Sequence, residues 1–254
     1  MNDKNQPRTL AVGGVSVHLG GVQILNEVTF TVAPGDVFGI VGPNGAGKTT
    51  ILNAIDGVVR PTAGTIRYGE TDLLRVPPHK MRQHGIGRSL QATHYFRDLT
   101  VAQFVSLGQL PNSVAGALRF TGHRPAALGV LAQLGLDEVA DRPLSELSTA
   151  LQKLADIARA FVAGTSLLLL DEPTSGVSGH ERGTIADALS RLRGLGRTII
   201  VIDHDPGFVT GICDRMLAMN FGRVLHIGRP DEVMSNEVVR RSYLGAPGAV
   251  HGDV

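Results

Sequence analysis

Between Leu10 and Val32, apolar residues alternate with polar ones: Val28, Phe30 and Val32 are separated by Thr29 and Thr31, the period of strands with one buried face. Gly20 and Gly21 supply a turn within this stretch, and Pro34 and Gly35 end it. Val37–Val41 is apolar throughout, which predicts a strand covered on both faces, and the spacing beyond a glycine-rich loop predicts a helix from Lys48 to about Val58. Two later runs, Leu167–Leu170 and Thr198–Ile202, read as further central parallel strands, each after a helical segment. Both end in charge, at Asp171-Glu172 and at Asp203-His204-Asp205. From Gln91 to Phe161 the period becomes helical. Pro125 opens a segment with Leu128, Leu131 and Leu134, and Leu151, Leu154, Ala158 and Phe161 form a second stripe. A hairpin is expected at Gly222, a short helix from Pro230 to Tyr243 and Leu244, and a mobile tail from Gly245.

Composition narrows the possible functions. The 254 residues carry 24 Lys and Arg against 23 Asp and Glu, a formal net charge of +1, so no overall field gathers nucleic acid or anionic lipid. A 43% hydrophobic content excludes a disordered chain, and no apolar run approaches the ~18 residues that would span a bilayer. The polar start, Asp3 to Pro7, lacks the apolar stretch of an export signal, so the chain is expected in the cytoplasm, without membrane insertion and without nucleic acid as a partner. The single cysteine, Cys213, has no partner for an internal disulfide and reads as a small buried hydrophobe. His79 and His84 show no metal-binding pattern, and no zinc is expected. Thirty-two glycines and thirteen prolines punctuate short runs without any internal repeat, which favours one compact unit.

The decisive segment is Gly42-Pro43-Asn44-Gly45-Ala46-Gly47-Lys48-Thr49-Thr50, which fits GxxxxGK[ST] between an expected strand and an expected helix. Glycines in such a loop let successive backbone N–H groups turn inward around a polyphosphate, and the helix N-terminus adds its positive end. Lys48 would hold the β and γ phosphates and Thr49 would ligate Mg²⁺. Asp171, at the end of an aliphatic strand, can reach the metal through water, and Glu172 then stands beside the γ phosphate. Alone, Glu172 could equally cap the turn toward Pro173; beside a phosphate loop, the role of general base for an attacking water is favoured.

With these residues the chain resembles the ATP-binding subunit of an ATP-binding cassette (ABC) transporter over nearly its whole length. Four motifs arrive in order: the phosphate loop, Gly87-Arg88-Ser89-Leu90-Gln91, the Leu167 to Glu172 strand with Pro173 and Thr174, and His204. The resemblance implies an α/β fold, a P-loop NTPase core with an N-terminal antiparallel β subdomain and an inserted α-helical subdomain. It implies a single ATP-binding domain over 1–254: residues 8–90 and 161–229 as β subdomain and core, 91–160 as helical insertion, and 230–254 as C-terminal helix and tail. ATP and Mg²⁺ are the implied ligands. Gln91 would ligate Mg²⁺ and report nucleotide state, and His204 would contact the γ phosphate. The implied partners are transmembrane permease subunits and a second ATP-binding subunit, with the chain at the cytoplasmic face of the cell membrane. Arg88-Ser89-Leu90-Gln91, Phe96 with Leu99-Thr100-Val101, and Tyr243-Leu244-Gly245 look most like the ATPases of branched-chain amino acid importers. Urea and amide importers and the ATPase of lipopolysaccharide export share part of this.

The family signature Leu-Ser-Gly-Gly-Gln is altered. Here it reads Leu147-Ser148-Thr149-Ala150-Leu151, before Ala158-Arg159-Ala160. Family subunits close head to tail, so Ser148 would face ATP held by the second subunit. A methyl group at Ala150 is expected to obstruct the close backbone approach that glycine permits, and Leu151 cannot donate a side-chain hydrogen bond. This favours an asymmetric heterodimer over a homodimer with two weak sites; the alternative is that the changes are tolerated in a normal site. Leu19, beside His18, stands where the family usually stacks an aromatic on adenine, and Ser178 stands where many relatives carry aspartate. His94, Tyr95 and Phe96 are candidates for receiving a permease helix or, equally, for packing the helical lobe. A kinase would need an acceptor pocket and an arginine-bearing lid, and a cassette of DNA repair would need coiled coils or a basic surface. A module that binds ATP without cleaving it is the more serious rival.

Overall fold

The computed structural model describes residues 6–90, 96–110 and 124–244. Strands β1 (Leu10–Leu19) and β2 (Val22–Val32) pair antiparallel across the left-handed Gly20 and Gly21. After β3 (Val37–Val41) and helix α1 (Lys48–Ile55), β4 (Ala63–Tyr68) and β5 (Thr71–Asp72) complete an antiparallel sheet of order β2-β1-β4-β5. Next come β6 (Ile86–Arg88) and the helices α2 (Val101–Ser106), α3 (Arg124–Leu134) and α4 (Thr149–Phe161). The chain returns through β7 (Leu167–Asp171), α5 (Arg182–Gly194), β8 (Thr198–Ile202) and α6 (Pro206–Ile212). It ends in the hairpin β9 (Arg215–Asn220) and β10 (Arg223–Gly228), followed by α7 (Pro230–Ser235) and α8 (Glu237–Leu244).

The second sheet has the order β10-β9-β3-β8-β7-β6, parallel except for the β9–β10 hairpin. Its central strands are buried at every position, and apolar apart from Asp171 and Thr198 at strand ends, because both faces are covered. Leu167, Leu169, Ile200, Ile202, Phe38 and Ile40 face a core shared with α1 and the antiparallel sheet, where the Phe30 and Phe38 rings stack at 5.5 Å. Leu168, Leu170, Ile199 and Val201 face the other way, into a core built with the helices. Thus β3, β7 and β8 hold their C-terminal ends rigidly at one edge, where ligands bind in open α/β sheets.

Several expectations need adjustment. Helix α1 stops at Ile55, short of Val58, because Gly57 takes a left-handed φ of 74° just past the C-cap. The C-terminal helix divides at Asn236, whose ψ of 126° is extended. Leu128 is only partly buried, and Ala127 joins Leu131 and Leu134 on the buried face of α3. Cys213 is partly buried against the helical core, and burial pushes its thiol well above the ordinary range. The tail from Gly245 lies outside the described residues, as do Gln91, His94 and Tyr95. Among the described residues, no helix is long and apolar enough to cross a membrane.

Candidate functional site

The loop between β3 and α1 is shaped by close backbone approaches. A Cβ at Gly42, whose φ is 153°, would stand 2.2 Å from the carbonyl oxygen of Met219, and one at Gly47 would meet Leu25 Cδ2 at 2.7 Å. The Ala46 amide donates to the Pro43 carbonyl at 3.2 Å, and the Ala46 carbonyl accepts from Gly222 at 3.0 Å, which ties the loop to the β9–β10 turn. The Gly42 backbone hydrogen-bonds the hydroxyl of Tyr243 in α8.

A cleft of about 380 Å³ gathers Asn44, Gly45, Ala46, Gly47, Lys48, Thr49 and Thr50 with Glu172, His204 and Ile24. Lys48 Nζ donates to the carbonyl oxygens of Gly42 and Pro43 at 2.7 and 2.9 Å. An ammonium has three protons, so one remains for an anion in the cleft. Lys48 is 6% exposed. Burial pushes it below its ordinary value, and the charges of Glu172 and Asp171 partly oppose this.

Two carboxylates come from the end of β7. Asp171 is buried; its Oδ1 lies 3.4 Å from the Thr49 hydroxyl and its Oδ2 lies 3.2 Å from Arg88 Nη2. Arg88 also approaches Asp56, at the C-cap of α1, at 3.8 Å. Glu172 continues the sheet by one bond, donating its amide to the Ile202 carbonyl at 2.8 Å, and then takes a left-handed φ of 52°. Its Oε1 lies 2.5 Å from His204 Nε2. A carboxylate can only accept, so this nitrogen is the donor. The pair is fixed by neighbours: the amide and hydroxyl of Thr174 both donate to Asp203 Oδ2, at 3.0 and 2.7 Å.

These residues suit the expected ligands. Thr49 and Asp171 offer the hard oxygens that Mg²⁺ prefers, and Lys48 with the bare glycine backbone suits a polyphosphate. Gln91, expected at the metal, lies outside the described residues.

Ser148 stands apart from the cleft, exposed at the N-cap of α4, where its hydroxyl accepts from the Leu151 amide at 3.5 Å. The hydroxyls of Ser178 and Ser148 bond the exposed Glu181 carboxylate and hold it below the usual carboxylate range. The expected obstruction at Ala150 is overturned. Its methyl is 2% exposed and faces the chain's own helical core, whereas Thr149 is exposed and Leu151 half-buried.

Sequence reasoning missed Ile24 in the cleft, the Arg88–Asp171 and Thr174–Asp203 pairs, and a bond from Lys153 Nζ to the Glu172 carbonyl at 3.1 Å. The available signal was position: Arg88 lies within the Gln91 motif, three residues before Gln91, and Thr174 and Asp203 flank Glu172 and His204.

The chain matches the family description "ABC transporter" over residues 25–175. It is 34% identical to the high-affinity branched-chain amino acid transport ATP-binding protein LivG of Salmonella typhimurium, over 93% of this chain and 97% of that one. It is 30% identical to the ribose import ATP-binding protein RbsA 1 of Rhizobium meliloti, over 95% of this chain but 48% of that protein. Among solved structures, the ADP conformation of MJ1267, an ATP-binding cassette of an ABC transporter, superposes with a TM-score of 0.85 at 27% identity, covering 94% of this chain and 99% of that one. The family match, the near full-length likeness to LivG and the shared architecture together show that the chain belongs to the ABC transporter family and is one of its ATP-binding subunits.

Proposed function

We propose that this subunit hydrolyses ATP in the cleft between the Gly42–Thr50 loop and the end of β7, and that the cleavage drives a permease at the cytoplasmic face of the membrane. The observation that carries this reading is the Glu172–His204 pair, 2.5 Å apart in the same cleft as the loop. His204 occupies Oε1 and fixes the direction of the carboxylate, so Oε2 is the atom that accepts a proton from the attacking water. Loop amides and Lys48 bind and orient the triphosphate, stabilising charge that builds on it during cleavage. Thr49, Asp171 and Gln91 would hold Mg²⁺, which when bound neutralises phosphate charge. Replacing Glu172 by Gln tests the assignment: turnover is lost while ATP still binds. An unchanged rate would favour the binding-only module.

The solute we propose is a branched-chain amino acid or a related small polar solute, supported by the near full-length match to LivG. An exporter of the lipopolysaccharide type is the alternative, drawn from the Tyr243-Leu244-Gly245 ending. Uptake of labelled leucine should fall in cells lacking this chain and return on complementation; unaltered uptake would remove the assignment. The proposed assembly is two permease subunits and a second, different ATP-binding subunit. Exposed Thr149, the missing donor at Leu151 and the negative Glu181 beside Ser148 favour a weak site on that side. The division into core (8–90 and 161–229), helical insertion (91–160) and C-terminal segment (230–254) is part of the same proposal.

A further inference from the structure

The left-handed φ of 52° at Glu172 needs outside support, because a side chain with a Cβ is disfavoured there. Among the described residues, three hydrogen bonds hold the Glu172 backbone. Its amide donates to the Ile202 carbonyl at 2.8 Å, and its carbonyl accepts from the Ser175 amide at 3.2 Å and from Lys153 Nζ at 3.1 Å. The first belongs to the sheet and the second to the turn that follows it. Lys153 arrives from the helical side, on α4, and of the three partners it alone is a charged donor, the stronger kind. The direction of Cα–Cβ depends on this backbone. A peptide that rotates toward an ordinary conformation swings the carboxylate away from His204.

Lys153 comes from a helix that is itself anchored. Arg159 Nη2 donates to the Arg88 carbonyl at 2.8 Å, and the Asp156 carboxylate accepts from the Leu90 amide at 2.5 Å and from Arg159 Nε at 2.8 Å. The Lys153 ammonium therefore projects from a fixed support, and Lys153 is not among the residues that line the cleft.

We propose that Lys153 is a positioning residue for the cleavage of ATP: its ammonium, bonded to the main-chain carbonyl of Glu172, keeps that residue left-handed and its carboxylate aimed at the water. This rests on the reading of Glu172 as general base. Lys153 acts on the rate and not on the binding of nucleotide, which separates it from Lys48.

The test uses the full chain and the variants K153M, K153R, K153Q, E172Q and the double variant K153M/E172Q. Phosphate release from MgATP is followed with protein in excess, and affinity is read from the anisotropy of a fluorescent ATP analogue. K153M should release phosphate about ten- to a hundredfold more slowly, the cost of a misplaced reacting group, with affinity unchanged within about twofold. K153R should restore most of the rate, and K153M added to E172Q should cause no further slowing. A wild-type rate in K153M beside an inactive E172Q overturns the proposal. So does K153R as slow as K153M, or a double variant whose losses multiply. If K153M lacks a cooperative melting transition, K153Q, which keeps a neutral N–H donor, is judged by the same criteria. A wild-type rate in E172Q removes the general-base reading itself, a distinct failure.

Discussion

Gly42 permits no side chain. The 2.2 Å separation from the Met219 carbonyl sets β9 against the loop, so Gly42→Ala must push the two apart. We expect a loss of about 2 kcal/mol in stability, read as a lower melting temperature, together with weaker nucleotide binding. At Glu172 the expected effect is on chemistry: Glu172→Gln should slow phosphate release by about 10²- to 10⁴-fold with nucleotide still bound. The loop and the two carboxylates were legible because residue type and spacing there carry their own mechanism. Their supports were not. Lys153 lies 19 residues from Glu172, Thr174 lies 29 from Asp203 and Arg88 lies 83 from Asp171, and no local period records such pairings. Ile24, which lines the cleft, stands in an alternating strand whose period does not mark it out.

Elements with two buried faces were read most easily. Val37–Val41, Leu167–Leu170 and Thr198–Ile202 have no polar interruption, whereas the two-residue β5 and three-residue β6 are too short to show a period. The limits of α1 and the break at Asn236 depended on single backbone angles. Helix α4 carries a testable polar anchor. Asp156 is 1% exposed, and burial raises its carboxyl while Arg159 opposes the shift. Asp156→Ala leaves Arg159 without that carboxylate and should cost about 3 kcal/mol, measurable by denaturant unfolding. Asp56, at the end of α1, gives a pH dependence. Burial pushes it from 3.8 to about 6 against the opposing Arg88 charge. Between these values the folded chain binds more protons than the unfolded one, so stability falls as pH rises through the window and stays low above it. Asp56→Asn should match the wild type near pH 4 and exceed it by about 2 kcal/mol at pH 7. A wild-type curve without that difference would contradict the burial argument.

In the whole molecule, two surfaces have different work. On the proposed reading the cleft side holds ATP through this chain's own loop, and the Ser148 side is the one offered to a second subunit. The sequence showed that the signature was altered but misplaced the obstruction, since the direction of the Ala150 methyl depends on how α4 packs. A repair should therefore leave Ala150 in place. Thr149→Gly with Leu151→Gln is expected to raise steady-state turnover of the isolated chain about tenfold, because a donor and a close backbone approach are restored. No change would mean that the natural residues are tolerated and that a homodimer suffices.

Phosphate release from radiolabelled MgATP in a single turnover, by the wild-type chain and by Glu172→Gln at equal nucleotide occupancy, tests the assignment of this cleft most directly. The wild type should release phosphate and the variant should retain uncleaved ATP. Equal release by both, or bound ATP that neither cleaves, would contradict that assignment.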